Sequence, residues 1–270
     1  MQTESMITAK ETEIESASTD IMDLPDKLKV FKVQRTCVYD GKGLRTTIFF
    51  QGCNLRCLWC QNPEGLVYSG EVTPNTERRI DDIMNIIRRD REYYSATDGG
   101  VTLSGGEPLM QDPDSLVRLL KELKKEKIKV TVETTLHAPW KNIARFIPYI
   151  DNYYVDLKVV GDDRLHKKLT GQESSLIHDN LKKLLELKSK IKFRMVMVPG
   201  YNDSEKCINA AIDFLHSIGY DSIELLRYHN MYEEKAKKLG LKQVLLNITP
   251  DQSLASIKKG LDMFRKKGIK

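Results

Sequence analysis

This sequence of 270 residues lacks several things. No apolar run approaches the ~20 residues a membrane-spanning helix needs, so none is expected. The first residues show no basic-then-apolar pattern, so no secretory leader is expected. The chain is therefore read as cytoplasmic, where thiols stay reduced. Cysteine is scarce: the five present are an odd number without a regular framework, which excludes a disulfide scaffold. Residues 61 to 103 hold none at all. The hydrophobic fraction of 40% and charged fraction of 30% are globular values, neither disordered nor fibrous. The length fits one domain with appendages.

Charge is uneven, although the net value is only +5. Residues 1–27 carry seven acids against Lys10 and Lys27, are rich in Ser and Thr, and show no apolar period. They read as a disordered acidic tail, with the folded domain spanning 28–270. The far end is basic, with Lys258, Lys259, Arg265, Lys266, Lys267 and Lys270 opposed only by Asp262. Those residues interleave with apolar ones, so a solvated helix face is expected rather than a nucleic-acid site.

What is present is a cluster of three cysteines, Cys53, Cys57 and Cys60, spaced CxxxCxxC. Structural zinc wants four closed ligands, and the nearest other candidates are the distant Cys37, His137 and Cys207. An electron-transfer cluster normally takes four cysteines. Three thiolates can hold three irons of a [4Fe-4S] cluster and leave the fourth open for chemistry. A zinc-stabilised binding module stays as the non-catalytic alternative. Cys37 and Cys207 have no metal spacing and read as small buried hydrophobes.

Six short apolar runs alternate with helix-period segments: 46–51, 100–104, 129–133, 153–158, 192–198 and 222–226. Leu116, Leu119, Leu120 and Leu123 form one helical stripe; Ile208, Ala211, Ile212 and Leu215 form another, with Asp203 and Ser204 as caps. This α/β alternation implies a parallel sheet with helices outside. Ligands of such sheets collect at the carboxyl ends of the strands. The cysteines, Ser104–Pro108, Glu133–Thr134, Asp156–Lys158 and Tyr228–His229 all fall there.

The cysteine spacing, with Trp59 before the last thiol, resembles the cluster motif of radical SAM enzymes. The longer string from Tyr39-Asp40-Gly41-Lys42-Gly43 through Gly52-Cys53 to Asn62-Pro63-Glu64 resembles the glycyl radical enzyme activating enzymes, relatives of pyruvate formate-lyase activating enzyme. Lys42 replaces that family's usual proline, a departure read as local. The resemblance implies a partial (β/α)6 barrel. It implies one [4Fe-4S] cluster on Cys53, Cys57 and Cys60, and S-adenosyl-L-methionine (SAM) beside it. Trp59 and Gln61 would lie near the cofactor, Gly106 and Glu107 would receive the SAM amino group, and Arg194 and His229 would face SAM. Glu133 and Asp156 would hold a monovalent cation beside the SAM carboxylate, with Lys158 completing the Asp-Leu-Lys motif. Glu133-Thr134-Thr135-Leu136 departs from the family's Asp-Thr-Asn-Gly, and Arg227 replaces a proline. Leu169-Thr170-Gly171 resembles a loop facing the protein substrate.

The implied activity is reductive cleavage of SAM to a 5′-deoxyadenosyl radical, which takes a hydrogen from a glycine Cα of a partner glycyl radical enzyme. No side-chain general base is needed. The electron would come from flavodoxin or ferredoxin, and a monomer is expected. The missing cysteines of residues 61–103 imply the compact, single-cluster form, without the ferredoxin-like insert of several activating enzymes. A radical SAM enzyme acting on a small molecule or short peptide shares every cofactor motif and stays open.

Overall fold

A computed structural model describes residues 24–66, 76–241 and 245–270. Its strands are β1 (Lys27–Cys37), β2 (Arg45–Phe50), β3 (Glu77–Arg79), β4 (Gly100–Gly105), β5 (Val130–Thr134), β6 (Asn152–Asp156), β7 (Ile191–Met197) and β8 (Glu224–Arg227). They form one sheet in the order β3-β1-β2-β4-β5-β6-β7-β8. From β2 to β8 the six neighbours run parallel, and each coincides with one of the six apolar runs. The sheet does not close on itself, so the architecture is the expected partial barrel.

Two strands were not foreseen. β1 pairs antiparallel with both β2 and β3. Its sequence, KLKVFKVQRTC, buries only Leu28, Val30 and Cys37, so its apolar signal is thin. β3 has only three residues. Of the acidic tail expected over 1–27, residues 1–23 lie outside the described residues. Its last four are tied to the fold: the Leu24 carbonyl accepts from Arg118 at 2.9 Å, and that of Asp26 accepts from the Ile80 amide at 2.7 Å.

Side chains alternate across a strand, and here the two faces differ in kind. Val101, Leu103, Val130, Val132, Val155 and Phe193 are buried toward the helices. They share one core with both predicted stripes, on helices Pro113–Lys125 and Glu205–Ser217. Asp112 caps the first of these helices and Ser204 the second, each side chain accepting a backbone N–H. The last helix, Pro250–Lys266, starts with a capping box of Thr249 and Gln252 and buries Ser253, Ser256, Gly260 and Phe264. Lys258, Arg265, Lys266 and Lys267 are exposed, as a solvated face requires.

The other face of the strands is polar. At its amino-terminal end it is plugged by the turn 38–44. The Asp40 carboxylate accepts from Thr47 at 2.6 Å, and the Asp40 carbonyl accepts from Thr102 at 2.7 Å. Lys42 pairs with Asp98 at 2.7 Å on the surface, so its replacement of proline is indeed local. Arg45, 2% exposed, donates to the Thr102 hydroxyl and to the carbonyls of Lys42, Val101 and Lys129. Among the described residues no carboxylate bonds it, and burial lowers its pKa. A buried cation is tolerated when every donor finds an acceptor. Arg45→Met should remove these donors, strand the carbonyls, and lower unfolding free energy by about 3 kcal/mol in urea titration.

Candidate active site

The cysteines lie on the loop that leaves β2, at the carboxyl end of the strands. This loop is strapped by backbone. The Gly52 amide donates to the Gly65 carbonyl, and the Gly52 carbonyl accepts from the Glu107 amide, both at 2.8 Å. Gly106 donates to the Phe50 carbonyl at 2.8 Å. A Cβ on Gly106 would stand 2.2 Å from the Gly52 oxygen, and one on Gly65 would stand 2.7 Å from the Gly106 nitrogen. So the glycines of Ser104–Pro108 make room for the chain's own cysteine loop, not only for a ligand.

Three other elements hold the loop. The helix Asp163–Thr170 ends with two carbonyls aimed at it: Thr170 accepts from Arg56 at 2.6 Å and Leu169 from Leu58 at 3.0 Å. Helix ends leave such carbonyls unpaired, and here the loop's amides fill them. Leu169-Thr170 therefore braces the cysteine loop, with Thr170 fully buried and Gly171 exposed. Gln172 donates to the Asn54 carbonyl at 3.0 Å, and Asn54 donates to the His137 carbonyl at 2.9 Å. Lys235, on helix Met231–Lys238, donates to the Gln61 carbonyl at 2.9 Å. Gln61 in turn donates to the carbonyl of His229 at 2.8 Å. The His229 side chain is exposed and lines a cavity of about 280 Å³ with Tyr228, Ile248 and Pro250.

Trp59 is 2% exposed and packs into a second core with Val159, Leu169, Val198, Tyr228 and Tyr232. It anchors the loop from below. Glu107 is also enclosed. One carboxylate oxygen accepts from the Thr134 hydroxyl and, at 3.2 Å, from the Leu109 amide. The other takes the amide and hydroxyl of Thr135 at 2.9 and 2.8 Å. Both oxygens are engaged within the protein, so an ammonium ligand would meet the backbone of this turn before the Glu107 carboxylate.

The three thiols lie within electrostatic reach of one another. The charge of Cys57 acts on Cys53, that of Cys60 on Cys57 and that of Cys53 on Cys60; Lys158 lowers all three. Burial nonetheless pushes Cys53 and Cys57 up to about 12 and Cys60 up to about 11. Across from them Lys158 donates to Asp156 at 2.7 Å. Burial opposes the Lys158 ammonium, but Asp156 and the thiols outweigh it and raise its pKa. Arg194 pairs with Glu133 and lies 3.7 Å from Glu224, with the Tyr154 ring 5.6 Å from its guanidinium carbon. Ser104 donates to the second Glu133 oxygen at 2.6 Å. Burial works against Arg194 as well, and the carboxylates of Glu133 and Asp156 hold its pKa up.

Among the described residues no three His, Cys, Asp or Glu side chains converge closely enough to hold one metal ion. A four-iron cluster instead distributes its thiolates over separate irons. The polar groups around the loop fit such a guest. Asn54 Oδ1, Trp59 Nε1, Gln61 Oε1 and Glu64 Oε2 are buried without a hydrogen-bond partner among the described residues. Most buried polar groups in folded proteins are paired, and four of the nine unpaired side-chain atoms among the described residues gather on this one loop.

A family model described as the radical SAM superfamily matches residues 47–211. The chain belongs to the radical SAM superfamily. Such enzymes use a [4Fe-4S] cluster and SAM, in keeping with the donor set just described. The choline trimethylamine-lyase activating enzyme of Oleidesulfovibrio alaskensis is 31% identical over 79% of this chain and 87% of its own length. The pyruvate formate-lyase-activating enzyme of Staphylococcus epidermidis is 34% identical over 78% and 85%. The first alignment runs to 273 positions and the second to 218, for nearly equal shares of this chain. The former relative thus carries positions that this radical SAM chain lacks. SuiB of Streptococcus suis shares the fold, with a TM-score of 0.58 at 18% identity over 81% of this chain and 46% of that one.

Some site residues escaped sequence reasoning. Asn54 and Gln172 act through backbone carbonyls, which no motif reports. Glu224 could have been found: it is a charge in a strand, registered against Arg194.

Gly106→Ala should retain the far-UV circular dichroism of the wild type yet lose most of its iron after reconstitution, because the new methyl displaces Gly52. In the iron-free protein the thiolate fraction stays small at neutral pH. Iodoacetamide labelling followed by mass spectrometry should therefore accelerate about tenfold per pH unit up to about pH 11, where a free thiol would level off near pH 8.5.

Proposed function

We propose that this protein is the activase of a glycyl radical enzyme, in the compact single-cluster form. The observation that carries the reading is the cysteine loop, strapped by four elements over a strand-end cluster of opposed charges. Cys53, Cys57 and Cys60 would hold the cluster. The backbone of Gly106 and Glu107, together with Asp156, Lys158 and Arg194, would receive SAM. Trp59, Gln61 and His229 would shape the nucleoside side. Lys158 and Arg194 offer cations to a carboxylate, while Asp156 and Glu224 offer anions to an ammonium and a sulfonium, so both signs of an amino-acid moiety are met. When bound, cluster and SAM supply a one-electron bond cleavage and, through it, hydrogen abstraction from a glycine Cα. The protein's part is to orient SAM and exclude water.

The activating-enzyme relatives support a protein substrate, and the lack of cysteine in residues 61–103 supports the single-cluster form. A flavodoxin or ferredoxin would supply the electron to a monomer in the cytoplasm. Five free thiols agree with a reducing compartment, and no described helix is long and apolar enough to cross a membrane.

Anaerobic protein reconstituted with iron and sulfide, reduced and given SAM should form 5′-deoxyadenosine, and Cys57→Ala should form none. With a glycyl radical enzyme present, a glycyl doublet should appear in the electron paramagnetic resonance spectrum. Nucleoside without that doublet on any glycyl radical enzyme tried would favour a small-molecule or peptide substrate instead.

A further inference from the structure

Glu133 and Asp156 do not fit the monovalent cation that the family resemblance implies. Both oxygens of Glu133 and one of Asp156 already accept from donors of this chain. Glu133 takes Arg194 on one oxygen and the Ser104 hydroxyl on the other. Asp156 takes the Lys158 ammonium at 2.7 Å. Thr134, the adjoining hydroxyl, donates to Glu107 and accepts from the Leu136 amide at 2.8 Å. A hard cation needs several oxygens free of such protons. Among the described residues no carboxylate cluster of that kind remains.

Glu133 lies on β5 and Arg194 on β7, with β6 between them. Two strand spacings are about 10 Å. The guanidinium crosses this gap beside the Tyr154 ring, and the long arm of a glutamate completes the span. An aspartate would be one methylene shorter. Glu224, registered beside Arg194 on β8, flanks the guanidinium from the opposite side. The fixed cation thus stands among three carboxylates, where a mobile one would otherwise be drawn.

We propose that this enzyme binds SAM without a monovalent cation, the guanidinium of Arg194, anchored by Glu133, serving in its place. This rests on the reading that SAM binds at these strand ends. The test uses the full chain with its cluster loaded. Binding of labelled SAM is measured by equilibrium dialysis in potassium, sodium or tetramethylammonium chloride at constant ionic strength, so that general screening is equal. The dissociation constants should agree within about twofold. A saturable tightening of about tenfold or more by potassium or sodium would overturn the proposal. In Glu133→Asp the anchor is broken, and potassium should there tighten SAM binding by about fivefold or more. A folded, cluster-loaded Glu133→Asp that binds SAM like wild type in all three salts would also overturn it. Loss of SAM binding in every salt by the wild type would overturn the site reading itself, and the proposal with it.

Discussion

Backbone contact between the cysteine loop and the Ser104–Pro108 turn is the constraint on which the site depends. Gly65 and Gly106 meet Gly52 where a Cβ on either of the first two would collide with a carbonyl or an amide. Side chains at such a crossing could repack, but backbone cannot. The position of Cys53, one residue beyond Gly52, is therefore set by β2 and β4 through paired hydrogen bonds of 2.8 Å. The remaining straps, from Leu169, Thr170, Gln172 and Lys235, fix the farther part of the loop. Three of these four act on backbone atoms from ordered elements. A ligand set on a loop can thus be as well defined as one on a strand.

The sheet supplies the second half of the design. One face of its parallel strands is aliphatic and merges with the helices; the other carries Arg45, Thr102, Ser104, Glu133, Asp156 and Arg194. Burying charge costs several kcal/mol per ion unless it is paired and hydrogen-bonded. The polar face meets this condition by cross-strand bonds: Arg45 to Thr102, Ser104 to Glu133, and Glu133 to Arg194. The open edge of the partial barrel leaves the carboxyl end of this face accessible, while the turn 38–44 shuts the other end. Strand order and pairing together direct the chemistry to one end.

Period and motif made most of this legible. Buried parallel strands read as apolar runs, so all six were visible, as were the stripes of their helices. β1 was not, because lysines and arginine dilute its two buried aliphatic residues, in a strand next to the edge of the sheet. Among site residues, identity was easier to read than direction. Glu107 was recognisable, but that its carboxylate turns to Thr134 and Thr135 depends on β5 lying beside β4. Trp59 was placed near the thiols, yet its ring enters a core completed by Tyr228 and Tyr232, far along the chain. That Leu169 and Thr170 brace the cysteine loop was not legible, since a helix-end carbonyl carries no residue signature.

Departures from the family pattern divide according to where they fall. Lys42, in an exposed turn, and Arg227, at the exposed end of β8, replace prolines, and each finds a partner, Asp98 for one and the Pro250 carbonyl for the other. Glu133 falls inside and rearranges the charges around it. Leu136 is a backbone case: it occupies a glycine position with a φ of +63°. For a residue with a Cβ that region costs about 1–2 kcal/mol. Leu136 is fully buried, and burying a leucine side chain contributes about 1.5–3 kcal/mol. Asn180 then donates to the carbonyls of both Leu136 and Ala138 at 2.8 Å, holding the strained turn in place. The two magnitudes are comparable, so the side chain that strains the backbone also offsets the strain, and the turn that presents Thr134 and Thr135 to Glu107 is kept without glycine.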